Sequence, residues 1–215
     1  MARATPSDVQ IEIAAAAARL IAEDGLDYAS AKRKAVEAIA GDGARAVLPE
    51  NALVESELRR WLATFGGERH RERLRALRVL AVQLMQRLAA YEPHLVGAVL
   101  NGTATEHSDI RLQLFADSAK DVEIFLLNEG VDFEVFEDDD APGAAQEVLQ
   151  FVIQPARTRG MPARLGVVLA IHGRDAIRIA PRGSSGDAGL HPVEASGRAS
   201  REQLERLLAE TEPPE

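Results

Sequence analysis

Gly97-Ala98-Val99-Leu100-Asn101-Gly102-Thr103-Ala104, followed closely by Ser108-Asp109-Ile110-Arg111-Leu112, is the stretch on which the fold turns. The run 95–100 is apolar, 101–108 is small and polar, and 110–115 alternates. In that last run Ile110, Leu112 and Leu114 share one face, and Arg111 and Gln113 share the other. Two short strands joined by a compact polar loop fit this pattern. Gly97 and Gly102 allow the backbone to approach a bound anion closely. Asp109 and Arg111, two residues apart on a strand, point to the same side. Two carboxylates at that spacing would hold Mg²⁺ against a triphosphate, as nucleotidyl transfer requires.

On the N-terminal side the pattern is helical. Ser7 and Gln10 have capping-box spacing, and Val9, Ile13, Ala17, Leu20 and Ile21 follow at helical steps up to Gly25. A second helix is expected over 30–39, ended by Gly41 and Gly43. A third is expected over 50–65, stopped by Gly66 and Gly67. The clearest helix carries Leu74, Leu77, Leu80, Ala81, Leu84, Met85 and Leu88 as one apolar stripe, and Pro93 breaks it. C-terminal to the hairpin, 119–128 returns to helix and is closed by Gly130. Strands are expected over 131–136, 147–154 and 165–172, with the acidic run 137–140 as a solvated turn. Residues 182–197 are rich in Gly and Ser and read as a flexible linker. Ser200 and Gln203 then cap an amphipathic helix over 201–209.

The joint pattern of glycine after a strand, a Gly-Thr-Ala step and Ser-Asp-Ile heading the next strand resembles the nucleotidyltransferase superfamily of polymerase-beta-like minimal fold. The resemblance spans about 45 residues at motif level. It implies an α+β chain, with a helical N-terminal region over 1–67 and a nucleotidyltransferase-like mixed sheet with flanking helices over 68–182. A linker over 183–199 and a C-terminal helix and tail over 200–215 complete the division.

The resemblance also implies site residues. Asp109 matches the family's first metal-binding acid, but Arg111 stands where the second acid belongs, and Ala98 replaces a phosphate-binding serine. Gly97, Asn101, Gly102, Thr103 and Ser108 would supply backbone and hydroxyl donors to phosphate. Any Mg²⁺ bound with the nucleotide would rest on Asp109, with Asp132 or Glu134 as partners. A fixed positive charge about 4 Å from a divalent cation costs several kcal/mol at a protein-surface dielectric. Arg111 would therefore pair with Asp109 or grip a phosphate in bidentate fashion. The expected function is binding of a nucleotide or phosphorylated small molecule, with metal-dependent transfer lost or altered.

Composition narrows the setting. The chain has 215 residues, 46% of them hydrophobic and 27% charged, with a formal net charge of −9 and no cysteine. Disulfides and thiolate metal sites are excluded. The acidic balance disfavours a surface that wraps nucleic acid. No stretch approaches the roughly 18 apolar residues of a membrane span, and a cytoplasmic protein is expected. Arg59, Arg60, Arg69, Arg71, Arg73, Arg75, Arg78 and Arg87 make 59–87 locally basic, most simply as a solvated helix face. His70, His94, His172 and His191 show no metal-ligand spacing, and His107, which could serve as a loop ligand or base, is most simply an exposed side chain beside Glu106.

Two other classes are open to this sequence. Residues 13–35, above all 17–25, are similar to the first helix of TetR-type repressors, which would imply DNA binding. Residues 36–50, however, contain two glycines, a proline and no aromatic, and strand patterns follow. A non-catalytic protein could instead use its N-terminal helices to bind a partner or a second copy. A Walker-type ATP loop is absent, since no Gly-Lys-Thr or Gly-Lys-Ser occurs.

Overall fold

The computed structural model describes residues 7–41, 48–136, 145–156, 160–179 and 190–211. Helix α1 (Asp8–Asp24) starts at the Ser7/Gln10 capping box and ends on Gly25 at φ 67°. Helix α2 (Tyr28–Ala40) begins earlier than the apolar spacing suggests. The Asp27 carboxylate accepts the amides of Ala29 and Ser30 and so fixes the first turn two residues sooner. Helix α3 (Asn51–Trp61) does not stop at the paired glycines. It widens into a π-turn (Leu62–Gly66) and continues as α4 (Gly67–Arg87), with Gly67 at φ 52° taking up the change of direction. Ile13, Ala17 and Ile21 of α1, Ala31 and Ala35 of α2, and Val54 and Leu58 of α3 close one apolar cluster.

A second cluster holds the sheet. After α4 come β1 (His94–Val96), the single turn α5 (Ala98–Asn101), β2 (Ile110–Ala116), α6 (Ala119–Asn128) and β3 (Glu134–Phe136). Strands β4 (Glu147–Ile153) and β5 (Leu165–Gly173), the short α7 (Pro192–Ala195), β6 (Ala199–Ser200) and α8 (Arg201–Glu210) complete the order. The architecture is mixed α and β. The sheet runs β3-β4-β5-β2-β1-β6, with β2 and β5 parallel and the other neighbours antiparallel. Ile110, Leu112 and Leu114 of β2 lie among the buried residues of this cluster with Leu149 of β4, Leu169 of β5, Leu84 of α4 and Leu204 of α8.

Three further sequence expectations change. The run 95–100 is not one strand, because Gly97 at φ 72° and ψ −154° turns the chain out of β1 into α5. The strand expected over 131–136 shortens to Glu134–Phe136. Of the expected linker 183–199, the described part from 190 onward is ordered. His191 accepts the Val193 amide, Glu194 accepts the His191 amide, and Pro192 fits the first helical position, so α7 forms. Ala199 then pairs with Leu95 at the sheet edge. The acidic run 137–140 lies outside the described residues.

Candidate nucleotide-binding cleft

A one-turn helix such as α5 leaves its last carbonyls without intrahelical partners. Side chains from α3 and α4 take four of them in succession. The buried Arg78 guanidinium donates through Nε to Val99 O (3.0 Å) and through Nη2 to Leu100 O (2.8 Å). Arg59 donates to Asn101 O at 3.4 Å, and His70 Nε2 lies 3.1 Å from Gly102 O, so that nitrogen carries the proton. Part of the basic stretch read as a solvated face is thus the mount of the hairpin. Burial pulls the His70 pKa down and also lowers that of Arg78, whose charge is sustained by Glu194 Oε1 at 2.6 Å.

The loop beyond α5 is held by its own side chains. Asn101 Oδ1 accepts the Thr103 amide (3.1 Å) and the Thr103 hydroxyl (2.7 Å). Thr103 is buried, so its hydroxyl hydrogen is committed to Asn101 rather than to the cleft. Ser108 Oγ accepts the Thr105 amide at 2.9 Å, and Thr105 Oγ1 accepts the His107 amide at 3.2 Å. These groups shape the loop first.

Between this loop and the N-terminal helices lies a cleft of about 450 Å³, in the size range of small-ligand sites. Ile21, Tyr28, Glu55 and Leu58 line one side, and Gly97, Asn101, Asp109 and Arg111 line the other. The helical wall was not legible as part of the site. It reaches the loop through Gly25, where a Cβ would stand 2.5 Å from the His107 ring. Tyr28 is pushed up to about 12, first by burial and then by the Glu55 charge. It is therefore a neutral phenol at ordinary pH.

The charges in the cleft are unevenly engaged. Asp27 caps α2, and hydrogen bonds from Ser30 hold its carboxyl below the usual range. Glu55 pairs with Arg59 at 2.9 Å. Asp109, just before β2, and Arg111 on it both line the cleft, yet the expected pair does not form. Among the described residues neither side chain has a hydrogen bond or ion pair. Asp109 lies over Gly166 of β5, where a Cβ would be 2.1 Å from Oδ1. The stem of Arg111 lies over Gly97, 3.6 Å from the position of a Cβ there.

Strand order decides the metal question raised by the sequence. Glu134, Gln150, Val168 and Arg111 fall on one cross-strand row, so Glu134 sits three strands away from β2. At about 4.8 Å per strand that is about 14 Å, beyond any shared ligand sphere. Asp132, just before β3, is likewise not brought to Asp109. The adjacent strand β5 offers Gly166 and Val168 instead of an acid. No group of three or more His, Asp or Glu able to hold a metal occurs among the described residues. Asp109 is thus not joined by Asp132 or Glu134 in a two-carboxylate Mg²⁺ site.

No family model and no curated protein matches this chain. Among solved structures it aligns with one of Cid1, described as having RNA terminal uridylyl transferase activity. Identity is 19% and the TM-score 0.32, over 52% of this chain and 32% of that one. The chain thus spans about a third of that structure's length. No helix among the described residues is long and apolar enough to cross a membrane.

Proposed function

We propose that the cleft binds a nucleotide or another phosphorylated small molecule, with Arg111 holding the phosphate and without two-acid metal-dependent transfer. One observation carries this reading. Arg111 faces the 450 Å³ cleft with no anionic partner among the described residues, at the position where the hairpin pattern of a nucleotidyltransferase-like chain has an acid. A guanidinium in a concave site suits bidentate phosphate binding. Gly97 brings backbone close to the same place, and Tyr28 with Leu58 provides an amphipathic surface for the rest of the ligand. A cytoplasmic setting belongs to the same reading.

The test is thermal stability against ATP, GTP, CTP, UTP and a sugar phosphate, each with and without Mg²⁺, for the native chain, Asp109→Ala and Arg111→Gln. Ligand at 100 times its dissociation constant adds about 2.7 kcal/mol, or a few degrees for a chain of this size. A Mg²⁺-independent shift lost in Arg111→Gln is the expected result. A shift that needs both Mg²⁺ and Asp109 would restore a metal-dependent transferase. No shift with any nucleotide or sugar phosphate would remove the reading.

A further inference from the structure

Asp109 poses a problem for any phosphate ligand in this cleft. Of the cleft's carboxylates, Asp27 caps α2 and Glu55 pairs with Arg59, while Asp109 is engaged by no side chain among the described residues. Arg111 is its counterpart, a cation with no anion. Their Cα atoms are one strand repeat apart, about 6.7 Å, and both side chains line the cleft. Gly166 under Asp109 and Gly97 under Arg111 are where the two side chains rest, and they hold no bond to each other.

A bare phosphate would satisfy Arg111 and stand beside Asp109 as a like charge. A divalent cation would relieve that repulsion, but the cleft's other carboxylates are engaged, Asp27 in capping α2 and Glu55 with Arg59, and Gly166 and Val168 on β5 add none. Protonated nitrogen on the ligand would relieve it with no metal. We infer that the ligand is a phosphorylated amine, its phosphate on Arg111 and its ammonium on Asp109, joined by a short carbon linker. The inference rests on the phosphate-binding reading above and narrows it. The acid just before β2 and the base on it form a complementary dipole at the cleft wall, and specificity follows because either group alone leaves one wall charge unmatched. The remaining volume, against Tyr28 and Leu58, accommodates the body of a larger amine.

Two probes of nearly equal shape separate the ideas: O-phosphoethanolamine and n-propyl phosphate, which carries a methyl in place of the ammonium. Each is titrated, without metal and at low salt, into the native chain, Asp109→Asn and Arg111→Gln. Binding is followed by NMR shifts, folding is checked by melting, and AMP serves as a third probe. The expected result is about tenfold tighter binding of the amine than of propyl phosphate. In Asp109→Asn that preference disappears and phosphate binding stays, whereas Arg111→Gln loses both ligands. If Asp109→Asn does not fold, the comparison in the native chain still decides. Equal binding of the two probes overturns the amine inference and leaves the phosphate reading intact, as does binding of AMP alone. A requirement for Mg²⁺ also overturns it. Silence of all three probes removes the amine inference and the phosphate reading together.

Discussion

The Asp109 carboxylate occupies the space that a side chain at Gly166 would need, with Oδ1 2.1 Å from the position of a Cβ there. The contact lies at the end of a side chain on the cleft, not in backbone, so Asp109 can rotate away. Gly166→Ala is therefore expected to cost under about 1 kcal/mol of stability, since the displaced group is partly exposed. It should nonetheless impair ligand discrimination as strongly as Asp109→Asn does. Parallel denaturation, with paired titrations of O-phosphoethanolamine and n-propyl phosphate on the two variants, checks this. A Gly166→Ala protein with native binding would mean that Asp109 has no fixed role in the cleft.

Arg78 and Glu194 give a prediction about stability. Arg78 is buried, with three bonds to Val99, Leu100 and Glu194 that link α4, the hairpin and α7. Replacing it by Ala leaves two hairpin carbonyls and a half-buried carboxylate unpaired. The loss is expected near 3–5 kcal/mol, as for other broken buried pairs. Glu194→Gln keeps a hydrogen-bond acceptor for the guanidinium and is expected to cost less than about 2 kcal/mol. Urea midpoints at constant slope measure both. Equal costs would show that the ion pair, not the carbonyl bonds, holds the hairpin.

His70 and His94 make the protein sensitive to acid. Burial, the first cause for each, lowers both below the usual histidine value, so the folded chain binds fewer protons than the unfolded one in that range. Stability rises with pH wherever the unfolded state holds more protons. The contribution is thus complete above the unfolded value of about 6.5 and is lost as pH falls below it toward the lower folded values. The melting temperature should be lower at pH 5.5 than at pH 7.5. His70→Asn, able to donate to Gly102 O, should flatten the slope. An unchanged slope in that variant would place the acid sensitivity elsewhere.

Local rules made the elements legible and long-range packing hid the site. The Ser7/Gln10 and Ser200/Gln203 capping boxes, the α4 stripe and the alternation of β2 are written in neighbouring residues, and all stand in the structure. Asp109 and Arg111 were visible as one strand face for the same reason. Strand order has no such local signature, and so Asp132 and Glu134 looked available to a metal that they cannot reach. Arg78 did leave a trace. It falls between Leu74, Leu77 and Ala81 on the apolar stripe, where a solvated arginine does not belong, and that misfit marked a buried, partnered charge. Tyr28 and Glu55 had no comparable mark, because only tertiary contact brings α2 and α3 to the loop.

Gly25 and His107 join the helical wall to that loop, and their coupling can be measured. Gly25 closes α1 in the left-handed region, and a Cβ there would meet His107 Cγ at 2.5 Å. Gly25→Ala thus incurs two costs, about 1–2 kcal/mol for the left-handed backbone and about 1–3 kcal/mol for overpacking against the ring. In a His107→Gly background the ring and its Cβ, which itself would stand 2.9 Å away, are both gone and only the backbone cost remains. The double-mutant cycle should therefore show a coupling of about 1–3 kcal/mol with the sign of relief. If the two losses simply add, His107 does not rest on Gly25 in solution. The cleft would then lack the contact that fixes its two walls, and ligand affinity should be indifferent to either substitution.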